Sequence, residues 1–316
     1  MKHISKKIEH FTFLNNKRER YRIKLFLLIL PLIILTFVFS YLPLYGWVYS
    51  MFDFRPPRAL SNSEFVGTRW FVSLFENATK RRLLFNIMRN TFVMSGLSIL
   101  TSWLPMLFAI FLSELKFKWF KKTVQTLTTL PNFISWILVY SLAFSLFASD
   151  GMLNNLLLSL GVIDTPKLFL QDGKHIWLTM WLWSTWKGLG WGAILYLAAI
   201  SGIDQEMFEA ARVDGATRIK LIIHITIPCL LPTFFVLLML SVANFLNNGM
   251  EQFFVFQNAF NKDNIQVLDL YIYNLAMGSG SYSLATAISI MKSLVSVTLL
   301  FFINWLSKKF RGESIV

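Results

Sequence analysis

Six long apolar runs constrain the fold of this chain more than any other feature of its sequence. They lie at residues 25–48, 91–113, 124–147, 176–200, 221–246 and 283–306. A run of roughly 18 or more apolar residues is long enough to cross the hydrocarbon core of a bilayer as an α-helix. Each run is apolar all round, as expected of a helix that contacts lipid and other helices. The sequence therefore predicts an all-α membrane protein with six transmembrane helices.

The composition leaves no room for a separate soluble domain. Hydrophobic residues make up 55% of the 316 residues and charged residues only 15%, whereas soluble domains average about 45–50% apolar and about 25% charged. We expect a basic N-tail at 1–24, a single transmembrane domain at 25–307 and a C-tail at 308–316. The first apolar run is too long for the core of a cleavable signal, so we expect it to remain as a membrane span.

The 30 Lys and Arg residues are placed unevenly around the runs. Most of them lie in the two tails and in the segments 114–123 and 201–220. Because cytoplasmic loops are enriched in Lys and Arg, this pattern predicts that both termini face the cytoplasm. The segment 49–90 is also basic and contains Lys80, Arg81 and Arg82, but we place it outside because the other assignments agree with one another. The net charge of +13 then indicates topology and contact with lipid headgroups rather than nucleic acid.

Several kinds of chemistry are missing from the sequence. No Asp or Glu lies within the six runs, whereas ion-coupled carriers place carboxylates inside the membrane. One cysteine, Cys229, allows neither an internal disulfide nor a cysteine zinc site, and the four histidines are scattered, so we expect no metal. We find no nucleophile and base pair in the runs and no phosphate-binding G-x-x-x-x-G-K-[ST] motif. We therefore expect no catalysis and no bound cofactor, and any ATP with its Mg²⁺ must bind to another subunit.

The segment of about 204–224 carries the strongest functional signal. Glu209, Ala210 and Ala211 begin a run that continues through Asp214 and Gly215. The residues before Gly215 favour a short helix, and Gly215 permits a turn with positive φ. A second short helix is expected at 217–224, after which Pro228 opens the next span. The small alanines would allow this knob to sit closely in the groove of a partner protein.

This segment resembles the EAA loop of the transmembrane subunits of ABC importers, in which E-A-A is followed by three residues, Gly, nine residues and I-x-L-P. The matching positions here are Glu209, Ala210, Ala211, Gly215, Ile225 and Pro228, and Ile227 replaces the usual Leu. In that family the loop docks into a cleft of the ATPase subunit and passes its closure to the membrane helices. The resemblance implies the same coupling role for this segment, including Asp214. A plain connector between two spans is the alternative reading.

Weaker motifs resemble the branch of these importers that carries complex sugars, as the maltose-type permeases do. The resemblance implies a second homologous permease, with a heterodimer favoured, two ATP-binding subunits, an extracellular sugar-binding lipoprotein and a bacterial cell-membrane location. The residues that carry it are Phe65-Val66-Gly67 with Trp70-Phe71, Asp150-Gly151 with Asn154 to Leu157, Trp186-Lys187, and Ala198-Ala199-Ile200 with Gly202-Ile203-Asp204.

Two groups of residues are candidates for the substrate path. Indole rings stack on sugar faces, and Trp181, Trp186 and Trp191 lie in the fourth run, although Trp also collects at membrane interfaces. Amides both donate and accept hydrogen bonds, as sugar hydroxyls do. The fifth run ends near a polar cluster, and we expect its amides Asn244 and Asn248 to share a helix face because they are four residues apart. Packing between helices is the alternative role for these amides. The cluster consists of Ser241, Asn244, Asn247 and Asn248.

Lys187 and Lys292 are the charges that fall inside the six runs. A lysine at membrane depth needs a partner or a wet cavity. Each could meet an anionic sugar such as a uronate, or it could reach the interface or a backbone carbonyl. Substrate charge therefore stays open, as does a non-sugar solute such as a glycerol phosphate ester. A passive channel or a membrane scaffold without an ATPase is the alternative function of a different class.

Overall fold

The computed structural model describes residues 17–171 and 173–311, and the parts of the expected tails at 1–16 and 312–316 lie outside these residues. The described chain is helical apart from one isolated antiparallel bridge between Phe52 and Phe65, so the all-α prediction is confirmed. The α-helices are α1 (Lys17–Thr36), α2 (Arg69–Glu76), α3 (Ala78–Leu100), α4 (Leu104–Ser113), α5 (Lys118–Thr129), α6 (Trp136–Phe147), α7 (Met152–Ser159), α8 (Ile176–Ser201), α9 (Gln205–Val213), α10 (Arg218–Leu221), α11 (Ile227–Ala243), α12 (Glu251–Phe256), α13 (Lys262–Ile265), α14 (Leu268–Tyr273) and α15 (Tyr282–Arg311).

Shorter helical segments extend or join these helices. Two of them continue α1 without a break, and one joins α10 to α11. The π-helical segments are Phe37–Tyr41, Ile222–Thr226 and Asn274–Gly278, and the 3₁₀ segments are Leu42–Met51, Leu60–Asn62, Leu130–Phe133 and Phe169–Gln171.

Five helical stretches of the described chain are long and apolar enough to cross a membrane. They are Tyr21–Met51, Ala78–Ser113, Trp136–Ser159, Arg218–Ala243 and Tyr282–Lys309. The predicted fourth span corresponds to α8, which has 26 residues and is therefore roughly 39 Å long. Its tryptophans, glycines and Lys187 give it a lower hydropathy than the five others. The six-span count consequently remains a prediction.

The structure changes the boundaries of the predicted second and third spans. The second begins at Ala78, thirteen residues before position 91, and a turn at 101–103 divides it into α3 and α4. The third, predicted as one helix over 124–147, is broken at the 3₁₀ segment Leu130–Phe133. Pro131 has no amide hydrogen to donate inside a helix, so the chain turns there. Helix α5 before the break carries Lys118, Lys121 and Lys122 and is a separate amphipathic element.

Helix α8 lies at the centre of the bundle because its glycines allow two helices to approach it. A Cβ at Gly190 would overlap the backbone of Thr128 on α5, and a Cβ at Gly192 would meet the ring of Pro105 on α4 at 3.1 Å. Farther along α8, Met180 belongs to a buried cluster with residues of α3, α6, α12 and α14. Helix α8 therefore packs against α3, α4, α5 and α11 as well as the short helix α13.

The segment after α11 folds back into the bundle instead of forming a loose loop. The side chain of the fully buried Asn90 on α3 donates to the carbonyls of Asp263 and Gln266 at 2.9 and 3.0 Å. The hydroxyl of Thr91 accepts the amide of Leu268 at 2.9 Å. These bonds hold the short helices α13 and α14 against α3. Residues 248–282, which lie between the last two apolar runs, thereby contribute packed side chains to the helical bundle.

Candidate coupling surface and translocation path

Helix α9 forms an exposed knob between α8 and α11, and both of its ends are capped. Asp204 accepts the amide of Glu206 at 3.0 Å, which satisfies a free donor of the first turn. At the other end Gly215 has φ +77. The amide of Ala216 donates to the carbonyl of Ala211 at 2.9 Å. The amide of Gly215 donates to the carbonyl of Arg212 at 3.0 Å. This is the Schellman pattern, in which a glycine in the left-handed region ends the helix.

The EAA residues divide between the surface of the knob and its interior. Glu209, Ala210, Asp214 and Gly215 are exposed. Ala211 instead packs against a buried cluster of Ile203, Leu221 and Ile225, together with Phe208, Ala216 and Cys229. The expectation that all the alanines face a partner is therefore wrong for Ala211 and Ala216. Small side chains at those two positions let the knob sit closely on the chain's own helices.

Exposed apolar side chains beside these residues were not anticipated from the sequence. Val213 is 88% exposed, Ile219 68% and Met207 45%. These apolar side chains add to the exposed surface that a partner protein could cover. A signal was present in the sequence, because Val213 lies within the motif between two charged residues, at a position that no span would bury.

The second half of the knob differs from its prediction. Instead of a separate helix over 217–224, helix α10 continues through the π-helical segment Ile222–Thr226 into α11. Pro228 stands in the first turn of α11 and does not begin the span. Because Pro228 has no amide hydrogen, it cannot bond the carbonyl one turn earlier, and the preceding turn has the wider π form. The knob is therefore joined directly to a helix long enough to cross the membrane.

One ion pair connects the knob to a neighbouring helix. The Nε atom of Arg218 lies 2.9 Å from Oε2 of Glu114, and Nη2 donates to the backbone carbonyl of Glu114 at 2.8 Å. Glu114 caps the C-terminus of α4. The knob is therefore connected to the end of α4 through Arg218 and to α11 through the backbone.

A cavity of about 320 Å³ lies between α3, α4, α8 and α11. Trp181 is in its wall, and the indole Nε1 donates to the hydroxyl of Thr101 at 3.0 Å. Hydroxyl groups both donate and accept hydrogen bonds, so this lining suits a polar solute in an otherwise apolar bundle. The hydroxyl-bearing lining residues are Ser98, Thr101, Ser102, Ser184, Thr185, Tyr196 and Ser241.

The other two candidate tryptophans point elsewhere. Trp186 lines a separate, mostly apolar cavity of about 760 Å³ with Leu142 and Phe147. Trp191 is half exposed and packs edge-on against Phe133 at 5.6 Å. The structure thus brings only Trp181 of the three to the hydroxyl-lined cavity.

The asparagine cluster is split because α11 ends at Ala243. Asn247 donates to the side-chain oxygen of Asn244 at 3.0 Å. Asn248 leaves the helix and bonds Ser95 at 2.7 Å and the carbonyl of Thr91 at 3.0 Å. The predicted shared face of Asn244 and Asn248 is therefore wrong, since it requires a continuous helix. Asn248 joins α3 to the segment after α11, as the packing alternative held.

Each of the two lysines has partners within the chain. The ammonium group of Lys187 donates to the carbonyls of Pro131 and Asn132 at 3.0 and 2.8 Å, where the break between α5 and α6 frees them. Lys292 on α15 forms an ion pair with Asp269 on α14. Asp269 lies outside the six apolar runs, and it reaches Lys292 because α14 folds back beside α15. Arg89 on the extended α3 is a further charge within a candidate span.

Within residues 17–171 and 173–311, no group of three or more His, Cys, Asp or Glu side chains is close enough to hold a metal ion. The candidate site consists of an exposed knob and a hydroxyl-lined cavity. Long apolar helices around a polar cavity are typical of a membrane transport subunit.

The chain belongs to the family of inner membrane components of binding-protein-dependent transport systems, whose sequence profile matches residues 21–312. Members of this family are the permease subunits of ABC importers, so the chain is a non-catalytic subunit located in the bacterial cell membrane. The membership confirms the resemblance found in the 209–228 segment.

Similar proteins extend over nearly the whole chain. Protein LplB of Bacillus subtilis is 35% identical over 301 residues, which cover 95% of this chain and 92% of that one. The polygalacturonan/rhamnogalacturonan transport system permease protein YteP of the same organism is 35% identical over 316 residues, covering 98% and 97%. The structure also matches a chain of a bacterial alginate ABC transporter in complex with an alginate pentasaccharide-bound periplasmic protein. That match has a TM-score of 0.82 and 30% identity, and covers 94% of this chain and 98% of that chain.

Proposed function

We propose that this chain forms half of the translocation path of an ATP-driven importer whose substrate is an oligosaccharide delivered by an extracellular binding protein. The observation that carries the proposal is the joining of an exposed, apolar-tipped knob to α11, which walls a hydroxyl-lined cavity. The names of the relatives support a saccharide substrate, and the alginate transporter in complex with its pentasaccharide-bound periplasmic protein supports delivery by a binding protein.

The other half of the path is a second, homologous permease, and two ATP-binding subunits dock on the cytoplasmic side. ATP and Mg²⁺ bind to those subunits. Their closure pushes on Glu209 to Gly215, and the knob passes the movement to α11 through Pro228 and to α4 through Arg218. The path then opens alternately outward and inward. In this arrangement the chain has six spans, with α8 as the fourth and both termini in the cytoplasm.

The residues of the path are those that line the hydroxyl-rich cavity, foremost Trp181 and Ser241. Asn244 and Asn247 follow the end of α11 and hydrogen-bond to each other, and Asn247 lines a separate polar cavity. Lys187, Asn248 and Trp191 act by holding helices together, since their partners lie within the chain. Trp186 faces an apolar cavity and suits a lipid chain or a neighbouring helix better than a sugar.

The proposal is tested by affinity purification of the tagged chain from a mild detergent, followed by an assay of ATP hydrolysis. We expect an ATPase to co-purify with the wild type and to be lost in Glu209→Ala/Gly215→Val, because a Val side chain is strained at φ +77. Gly161→Val is the matched control, since Gly161 has φ +66 and lies outside the knob. This control should keep its ATPase.

The same purification distinguishes the proposed importer subunit from the alternative functions. A chain that inserts normally but yields no partner and no hydrolysis would support a passive channel or a scaffold. For substrate class, a glycerol phosphate ester remains the competing solute. Uptake of that ester by cells expressing the complete importer, without uptake of oligosaccharides, would overturn the saccharide proposal while leaving the coupling role of the knob intact.

A further inference from the structure

A second polar cavity, of about 340 Å³, lies between α14, α15 and the segment that follows α11. It shares no lining residue with the hydroxyl-lined cavity beside Trp181. Its volume is at the lower end of the range of about 300–1,000 Å³ that is typical of ligand pockets. The polar residues around it are Asn247, Asp269, Ser289, Lys292, Ser293 and Ser296.

Four of these residues form one face of α15. Ser289, Lys292, Ser293 and Ser296 recur at the three- and four-residue spacing that aligns side chains along a helix. The opposite face carries exposed apolar residues such as Leu294. A polar face on a helix long enough to cross a bilayer faces a wet cavity or a partner rather than lipid. This face of α15 therefore belongs to the interior of the path.

The charges in this cavity compensate each other. Lys292 is paired with Asp269, and their side chains are only 16% and 15% exposed. The second carboxylate oxygen of Asp269 accepts the amide of Gly249 at 2.9 Å, which fixes the carboxylate on both sides. Lys187 is committed to two backbone carbonyls elsewhere. The cavity thus offers hydrogen-bonding groups without net charge.

One hydroxyl in its wall is unused. The Oγ atom of Ser296 is buried and has no hydrogen-bond partner among the described residues. A buried hydroxyl without a partner is unfavourable, and a hydroxyl-bearing ligand in the cavity would satisfy it. Carboxylate, ammonium, amide and hydroxyl groups together can both donate to and accept from sugar hydroxyls.

We propose that this cavity binds an uncharged sugar unit of the substrate and that Asp269 discriminates against uronates. The inference rests on the proposed function and adds the charge class of the substrate. A uronate entering the cavity meets the carboxylate of Asp269, which already holds the ammonium group of Lys292. Because Lys292 is already neutralised by Asp269, the carboxylate of a uronate would be buried there without a partner, and this unpaired charge is what the site rejects.

The test uses the purified complex with its ATPase subunits but without the binding protein. Saturation-transfer difference NMR measures the binding of galactotriose and of trigalacturonate. We expect wild type to favour galactotriose. Asp269→Asn frees Lys292, so the trigalacturonate signal should rise several-fold relative to that of galactotriose. The neutral double variant Asp269→Asn/Lys292→Gln should restore the preference of the wild type.

The location of the binding site is tested by filling one of the two cavities with a Phe side chain. In the Asp269→Asn background, Ser293→Phe should remove the gained trigalacturonate signal, whereas Ser184→Phe, in the wall of the first cavity, should leave it. If Asp269→Asn does not yield a folded complex, Lys292→Gln gives the converse test. It makes the cavity negative, so the trigalacturonate to galactotriose ratio should fall below that of the wild type.

A wild type that favours trigalacturonate, or a ratio that is unchanged in Asp269→Asn, overturns the inference. ATP hydrolysis is measured on the same preparations. If the complex hydrolyses ATP but the ratio of the trigalacturonate to the galactotriose signal is unchanged in Asp269→Asn, the result counts against this cavity alone. A wild-type preparation without any ATPase counts against the proposed function itself.

Discussion

At the scale of residues, neighbours within one short motif have different tasks. Gly215 ends α9 because it adopts φ +77, and Ala211 holds the helix on the cluster of Ile203 and Leu221. Only part of the motif is therefore free to touch another protein. The exposed Val213 lies in that free part although it is not a defining residue of the motif.

Val213→Asp should weaken retention of the ATPase without destabilising the chain. Val213 is 88% exposed, so the substitution removes no internal packing, but it places a charge in an apolar contact. Truncation or replacement of a central contact residue commonly costs about 2 kcal/mol or more of binding free energy. The measurement is the amount of ATPase co-purified per tagged chain, with thermal unfolding as the stability check.

Val162→Asp is the matched control for this substitution. Val162 is also largely exposed, at 64%, but it lies in the segment between α7 and α8, away from the knob. Equal loss of ATPase in both variants would mean that Val213 has no particular part in docking.

At the scale of elements, α8 shows how glycine positions within one helix differ. Gly190 lies directly against the backbone of Thr128 on α5, whereas a Cβ at Gly188 would meet no atom within 4 Å and would point into the hydroxyl-lined cavity. The first glycine serves packing between helices, as small residues commonly do in membranes. The second leaves space in the cavity.

Gly190→Ala should lower the unfolding temperature of the detergent-solubilised chain, and Gly188→Ala should not. Alanine in a helix is otherwise favoured over glycine by roughly 0.5–1 kcal/mol. At position 190 the added methyl group forces α5 and α8 apart, and overpacking typically costs about 1–3 kcal/mol. Equal unfolding temperatures would show that α5 can move away from α8 without loss.

At the scale of the whole molecule, a broad apolar surface remains exposed. Apolar side chains along α1 and the outer faces of α11 and α15 are uncovered within the described chain, among them Leu28, Val236 and Phe301. Such a surface needs lipid or another subunit around it. In the membrane this surface contacts lipid, and in the proposed importer part of it contacts the second permease.

The proposed topology predicts which sites a membrane-impermeant thiol reagent can reach. Cys229 is the one cysteine of the sequence, so Cys229→Ser provides a clean background. In intact cells Val162→Cys should react, whereas Val213→Cys should react only after the membrane is made permeable. Labelling of Val213→Cys in intact cells would contradict the proposed topology. It would mean that the orientation is the reverse or that the chain has fewer than six spans.

The sequence by itself determined the all-α class of fold, the approximate place of five apolar helical stretches and the segment that forms the exposed knob. Apolar runs of membrane length permit only helices, since lipid offers no hydrogen bonds to the backbone. The order Glu209, Ala210, Ala211 and Gly215 is local, and local spacing is readable without a structure.

Tertiary structure alone decided which polar side chains face a cavity and which join helices. Asn248 and Lys187 look like path residues in the sequence. The end of α11 brings Asn248 to Ser95 and to the carbonyl of Thr91 on α3, and the break before α6 frees the two carbonyls that bind Lys187. Asp269 lies in a segment that reads as a loop, and its pairing with Lys292 exists because α14 folds back against α15. Such partners are distant along the chain, and the bends that bring them together depend on how the helices pack.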